Sequence, residues 1–221
     1  MQTTTHLLFG ATGLIGNHIL PLIPDDQYLI TITRKPLPLN RKNYLNIVSD
    51  LSAVSINKLT FNNPIDYIYC CLGTTIKVAG SSEKFYQVDH DLVVDIAKLS
   101  NRLKVKKLLL VSAVGANPQS KVFYSKTKGE MERDTIAATP DVSQVIFIRP
   151  SLLLGDRDVL HQPSRFGQKI ATRLAPFYSK IFFGPFKKYS PVEAKEVAKK
   201  MVSIAISSTN KNRLQIIWSK V

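Results

Sequence analysis

Short apolar runs alternate along this chain with longer stretches in which apolar residues return every three or four positions. The runs fall at Thr5–Phe9, Tyr28–Thr33, Leu45–Val48, Asp66–Cys71, Lys107–Ser112 and Gln144–Arg149, with Leu214–Trp218 a seventh. Near-continuous apolarity over so few residues predicts strands covered on both faces, as in parallel sheets. Between them, Leu14–Leu22 reads as a short helix. Ser82–Arg102 reads as an amphipathic one, with Phe85, Val88, Leu92, Val93, Ile96 and Leu99 along one stripe and Ser81-Ser82-Glu83 supplying caps. Tyr124–Ala138 predicts a helix that stops before Thr139-Pro140, and Val192–Ser207 another that starts just after Pro191.

This alternation is that of βαβ units, so the expected fold is α/β: a Rossmann-like, doubly wound parallel sheet. At 221 residues the chain suits a single domain over 1–221. The rhythm breaks only between Leu154 and Ser190, where Pro163, Gly167, Pro176, Gly184 and Pro185 interrupt it. An insertion after a late strand falls near the carboxyl ends of the strands, where ligands bind, so residues 154–190 are expected to cap the substrate. Within it His161, Arg165 and Tyr178 are ligand candidates, with packing or solvent exposure the alternative for each.

Composition narrows the class. With 44% hydrophobic and 21% charged residues, the chain has the balance of an ordinary globular protein. The first residues lack a basic region, and the apolar run Leu7–Phe9 is too short for a secretory signal. Nothing approaches the ~18 apolar residues of a membrane span. A cytoplasmic protein is expected. Cys70 and Cys71 are adjacent and form no disulfide framework, and His6, His18, His90 and His161 lack ligand spacing, so no metal is expected. The net charge of +14 could serve nucleic acid, an anionic membrane or a phosphorylated ligand. Its lysines are spread along the chain without interleaved aromatics, so a basic solvated surface is the simpler reading, and nucleic acid and membrane partners are not expected.

The sharpest motif follows the first strand: Gly10-Ala11-Thr12-Gly13-Leu14-Ile15-Gly16. A strand, three glycines at this spacing and a helix form a dinucleotide diphosphate cradle. The first glycine makes the turn, the second admits the diphosphate, and the third lets helix and strand approach, while the helix start directs N–H groups at the anion. A carboxylate about 20 residues on would read a ribose hydroxyl. Here Thr33-Arg34-Lys35 stands at the end of the second strand instead, and a guanidinium suits a 2′-phosphate, which favours NADPH over NADH. Arg34 as a plain surface charge is the alternative, and Lys35 could share its task. Asp50 and Leu51 after the third strand could meet the adenine, although capping by Asp50 or Ser52 explains them equally well. Leu72-Gly73-Thr74 after the fourth strand could pass close to the cofactor ribose.

Tyr124 and Lys128 lie four residues apart on a predicted helix and so share a face. A phenol titrates near 10, but a neighbouring ammonium and a cationic nicotinamide would favour its phenolate. Ser112, at the end of the fifth strand, could polarise a carbonyl oxygen. Together the three predict a site where a hydride reaches a carbonyl carbon while Tyr124 protonates its oxygen. An exposed helical pair is the alternative for Tyr124 and Lys128 taken alone.

On the glycine turn, Thr33-Arg34, Cys71-Leu72-Gly73-Thr74-Thr75, Val88-Asp89-His90-Asp91, Val111-Ser112, Tyr124-Ser125-Lys126-Thr127-Lys128-Gly129-Glu130 and Arg149-Pro150-Ser151-Leu152-Leu153-Leu154-Gly155-Asp156-Arg157, the chain resembles the short-chain dehydrogenase/reductase superfamily. More narrowly it resembles the atypical NAD(P)H-binding branch that includes the Tat-interacting metastasis suppressor and many bacterial oxidoreductases. The resemblance implies a Ser112, Tyr124 and Lys128 triad, NADPH at Gly10–Gly16 and Arg34, and Pro150, Ser151 and Leu152 beside the nicotinamide. One departure stands out: many members carry an asparagine for a proton relay where this chain has Asp89. The expected activity is an NADPH-dependent reduction of a small carbonyl substrate by a monomer or homodimer. The alternatives are a nucleotide-sugar epimerase-like enzyme and a cofactor-sensing regulator without turnover.

Overall fold

The structure, a computed structural model, describes residues 3–154, 190–208 and 212–218. Its framework is a sheet in the order β3-β2-β1-β4-β5-β6-β9, every pair parallel. The strands are β1 (Thr5–Phe9), β2 (Tyr28–Thr33), β3 (Tyr44–Val48), β4 (Tyr67–Cys70), β5 (Lys107–Val111), β6 (Gln144–Arg149) and β9 (Leu214–Trp218). All seven expected strands are present, with ends shifted by a residue at most. This is the doubly wound architecture that the alternating pattern called for, and its strand order reverses between β1 and β4, where a crevice opens at the carboxyl ends.

Why these runs become strands is visible in their burial. All five residues of β1 and all but the first of β2 are buried, because helices cover both faces. One apolar layer, including Phe9, Ile32, Ile68, Ile96, Met131 and Phe147, lies under α2 (Ala53–Asn57), α5 (Leu92–Arg102) and α6 (Phe123–Ala138). The other, including Leu8, Ile19, Tyr69, Ile146, Val197 and Met201, lies under α1 (Gly16–Ile19) and α7 (Ala194–Ile206). Each such side chain contributes about 1.5–3 kcal/mol on leaving water. The two edge strands leave apolar residues open, at Leu45 and Val48 of β3 and at Leu214 and Ile216 of β9.

Two helices depart from the sequence pattern. The stretch expected as one helix from Leu14 to Leu22 is a single α turn, Gly16–Ile19, followed by a 3-10 turn, Leu20–Leu22. Pro21 is the reason: it has no N–H for the α ladder, and its ring crowds the preceding turn. The stretch Ser82–Arg102 is continuous but contains α4 (Ser82–Tyr86), a π turn (Gln87–Asp91) and α5. Such wide turns are concentrated at functional positions.

At the far end of the sheet, β7 (Leu153–Leu154) pairs in parallel with β8 (Val192–Glu193). The Ser151 hydroxyl also donates to the Ser190 carbonyl. The two ends of the expected capping insertion are thereby held together beside β6. His161, Arg165 and Tyr178 lie outside the described residues.

Candidate active site

Strand register brings the motifs to one edge. Phe9 is paired with both Ile32 and Cys70, Cys70 with Leu110, and Val111 with Ile148. The segments that follow, starting at Gly10, Thr33, Cys71, Ser112 and Pro150, therefore leave the sheet side by side. Ser112 lies just past the end of β5, its N–H donating to the Ile148 carbonyl at 2.7 Å.

The glycine turn is built as its spacing demands. Gly10 has φ +82°, and a Cβ there would meet the Cys71 carbonyl at 2.7 Å, so any other residue would force β1 and β4 apart. A Cβ on Gly16 would lie 2.1 Å from the Gly10 carbonyl oxygen, which makes this glycine the condition for α1 to start against the end of β1. The Gly13 N–H closes the turn onto the Gly10 carbonyl at 2.9 Å. Thr12 is exposed at its apex, with Leu14 half-buried and Ile15 in the core.

Arg34 and Lys35 are exposed just past β2, where the buried Thr33 hydroxyl closes a tight turn by donating to the Lys35 carbonyl at 2.7 Å. Beyond β3, Asp50 accepts from the Ser52 N–H at 2.9 Å, and Ser52 caps α2 by accepting from the Ser55 N–H. The Ser55 hydroxyl, then the Ser52 N–H and hydroxyl, hold the exposed Asp50 carboxyl below the usual range. Leu51 between them is half-buried, with φ +60°. Of the two capping alternatives to an adenine contact, Ser52 caps the helix and Asp50 closes the turn just ahead of it. Cys70 and Cys71 are core rather than reactive: burial pushes the Cys70 thiol up to about 11 and raises Cys71 as well, against forming a nucleophilic thiolate.

Helix α6 carries Tyr124 and Lys128 and is clamped against the loop after β5. A Cβ on Gly129 would sit 2.2 Å from the Asn117 carbonyl carbon, and the Asn117 N–H donates to the Ser125 carbonyl. Tyr124 is 38% exposed and leans on the fully buried Phe85 of α4 at 5.6 Å between ring centres. The Ser112 hydroxyl is buried with no hydrogen-bond partner among the described residues.

Lys128 is buried, and its Nζ lies 2.8 Å from Asp89 Oδ1 in the π turn. The other carboxylate oxygen, Oδ2, accepts from the Thr74 N–H at 2.8 Å. On the outer side of the same turn, His90 stacks on Tyr86 and reaches Asp134 of α6 at 2.9 Å. Burial opposes the Lys128 charge, but Asp89, Tyr124 and the hydrogen bond to Asp89 outweigh it, and its pKa is raised. Enclosure pushes the Tyr124 phenol up and Lys128 pulls it down less strongly. Lys128 thus acts toward the phenolate as expected, but burial of the ring outweighs it and holds the phenol above its ordinary value.

Pro150 is buried, Ser151 half-buried and Leu152 52% exposed where the chain leaves β6. The Val114 N–H donates to the Pro150 carbonyl at 2.9 Å, which ties this segment to the loop carrying Ser112. Three features of this site were not assigned a role from the sequence: Gly129, the Asp89 pairing and the Glu132–Arg149 ion pair. Only Asp89 gave a signal, as a departure from a familiar pattern.

A parallel sheet of this order, with a glycine turn after its first strand, defines an NAD(P)-binding Rossmann-like protein. The profile of the NAD dependent epimerase/dehydratase family matches residues 6–184, and the chain belongs to that family. Over 219 residues it is 33% identical to the protein named FMP52, mitochondrial, of Saccharomyces cerevisiae, covering 97% of this chain and 93% of that one. The Kluyveromyces lactis protein of the same name is 34% identical over 218 residues, covering 96% and 94%. These names point to mitochondria and overturn the expected cytoplasmic location, because neither a secretory signal nor a membrane span bears on that compartment.

Among solved structures, UDP-glucuronic acid 4-epimerase from Bacillus cereus in complex with UDP-glucuronic acid and NAD aligns with a TM-score of 0.71 at 12% identity, covering 97% of this chain and 77% of that one. A short chain dehydrogenase family protein from Francisella tularensis aligns at 0.67 and 16% identity, covering 97% and 96%. At such identities the likeness is one of fold.

Proposed function

We infer that the chain is a mitochondrial NADPH-dependent oxidoreductase that reduces a small carbonyl compound. The observation that carries this reading is the Ser112 hydroxyl, buried without a hydrogen-bond partner among the described residues on the sheet edge that also bears the glycine turn. A buried hydroxyl left unpaired costs about 1–3 kcal/mol, a cost that makes sense where a substrate oxygen completes it. The location follows the names of the relatives.

The residues present fit the cofactor. The Gly10–Gly16 turn would hold its diphosphate, Arg34 with Lys35 its 2′-phosphate, and Asp50 and Leu51 its adenine. Leu72, Gly73, Thr74 and Lys128 would flank the ribose, and Pro150, Ser151 and Leu152 the nicotinamide. When bound, NADPH supplies a hydride. Ser112 donates a hydrogen bond to the carbonyl oxygen, and Tyr124 gives that oxygen its proton as charge develops there. The resemblance to the atypical NAD(P)H-binding branch supports the same cofactor.

A screen of carbonyl compounds for NADPH oxidation tests the reading, with Tyr124→Phe as the control. Turnover should fall by roughly 100-fold or more in the variant while NADPH affinity changes little. Equal activity in the variant would refute the assignment. The epimerases among the structural neighbours supply a second reading, conversion of a nucleotide sugar with NAD, which requires Tyr124 to act first as a base.

A further inference from the structure

The proposed reaction leaves one buried carboxylate without a task. Asp89 is 1% exposed in its side chain and spends both oxygens, one on Lys128 and one on the Thr74 N–H, each at 2.8 Å. Gly73 is drawn against the same pair: a Cβ there would lie 3.4 Å from Asp89 Oδ1 and 4.0 Å from Lys128 Nζ. An unpaired carboxylate in such a place would be strongly unfavourable, and so would an unpaired ammonium. Each fixes the other, and the π turn supplies the geometry that puts Asp89 there.

We propose that Asp89 is the positioning residue of this site: by neutralising Lys128 and fixing Thr74, it keeps Tyr124 a proton donor and biases the site toward reducing a carbonyl. The proposal rests on the reductase reading and gives it a direction. Carbonyl reduction consumes a phenolic proton: the carbon gains a hydride and its two electrons from NADPH, the oxygen takes the Tyr124 proton, and solvent restores the phenol. Alcohol oxidation, which also begins an epimerisation, needs the reverse, a phenolate able to accept the hydroxyl proton. A bare ammonium four residues away favours the phenolate, and a paired one does so weakly.

Among the described residues, the charged and titratable groups facing the phenol and ammonium are few. They are Lys128 on α6, Asp89 in the π turn and Cys70 at the end of β4, while α4 offers only the uncharged ring of Phe85. For the phenol, enclosure acts upward, Lys128 downward and Asp89 upward again, with a net rise. Asp89 is thus the one charged group among the described residues whose removal should shift the phenol toward the phenolate.

The test is the Tyr124 titration in the full chain without cofactor, read as tyrosinate absorbance and isolated by subtracting the matching Tyr124→Phe protein. Asp89→Asn keeps an acceptor for Thr74 but loses the charge, and should move the Tyr124 step down by about one pH unit. Asp89→Glu should restore it. The double variant Lys128→Met/Asp89→Asn should titrate close to wild type, and it decides the matter alone if Asp89→Asn does not fold. In the reductase assay, the alkaline limb of the pH profile should move with the absorbance step. A Tyr124 step unmoved in Asp89→Asn, or one well above wild type in the double variant, overturns the proposal. A wild-type chain that shows the coupling yet reduces no carbonyl compound defeats the reductase reading and leaves the role of Asp89 toward Lys128 standing.

Discussion

Arg149 at the end of β6 grips Glu132 of α6 with two contacts, Nε to Oε1 at 2.9 Å and Nη2 to Oε2. Both side chains are largely buried, at 15% and 6% exposure. The pair ties the helix that carries Tyr124 and Lys128 to the strand that leads into Pro150, Ser151 and Leu152. A planar guanidinium on a carboxylate fixes orientation as well as distance, so the pair sets how the two halves of the site face each other.

Breaking that pair should therefore cost stability and alignment together. Glu132→Gln leaves a buried guanidinium without its counter-charge and should lower stability by about 3 kcal/mol, read from the urea midpoint. Glu132→Met combined with Arg149→Met should cost less than either single change. A double variant as unstable as the sum of the two singles would show that the residues do not act as a pair.

Ser112→Ala should separate stability from activity. Removing a buried hydroxyl that has no partner among the described residues relieves its desolvation penalty, so the variant should be more stable by about 1 kcal/mol, read from the urea midpoint. Its kcat should fall by roughly 100- to 1000-fold if Ser112 supports the reacting oxygen. A destabilised variant with full activity would remove Ser112 from the mechanism.

Arg34→Ala bears on the choice of cofactor. Losing a charge-assisted bond of about 1.5–3 kcal/mol should weaken NADPH binding by roughly 10- to 150-fold and leave NADH unchanged, as fluorescence titration would report. Wild-type protein that binds the two alike would return the cofactor to NAD, the nucleotide named with several of the structural neighbours.

His6 gives the fold a sensitivity to acid. It is fully buried on β1, with Nδ1 3.0 Å from the Tyr69 hydroxyl and Nε2 2.6 Å from Gln27 Oε1. The neutral ring satisfies both, donating from Nε2 and accepting at Nδ1. Burial, opposed by Gln27 and Asp66, lowers its pKa below 6.5. Between that lowered value and 6.5 the unfolded chain binds a proton that the folded chain refuses, so stability falls as pH drops through this window and rises as pH climbs back. Urea midpoints of wild type should show this slope, and His6→Gln should lack it. An identical slope in the variant would assign the acid sensitivity elsewhere.

The strands were readable because a buried parallel strand writes itself as an unbroken apolar run, as Leu7-Leu8-Phe9 and Val145-Ile146-Phe147 do. The glycine turn was readable because each glycine answers a contact that no side chain could make. Pro21 marked the early end of α1, but its weight against the helical period showed only in the structure. The π turn was not legible, since the apolar stripe from Phe85 to Leu99 looks the same with one wide turn inside it. Nor was the Asp89–Lys128 pair, because nothing local links two residues that meet only when the π turn packs on α6. The location was missed for a different reason: composition reports the solvent a protein meets, not the compartment that holds it.

Ser151 and Ser190 are 39 positions apart in sequence, yet one hydrogen-bonds the other, and β7 and β8 close the same gap. Closing a loop costs only about 0.6 kcal/mol more for each doubling of its length. What is strung between those two anchors can thus be lengthened, shortened or exchanged at almost no expense to the sheet. The glycine turn proposed to hold the cofactor is fixed by its glycines, while the segment proposed to cap the substrate is joined at a fastening that tolerates replacement. A chain built this way can change what it acts on without relearning how to fold.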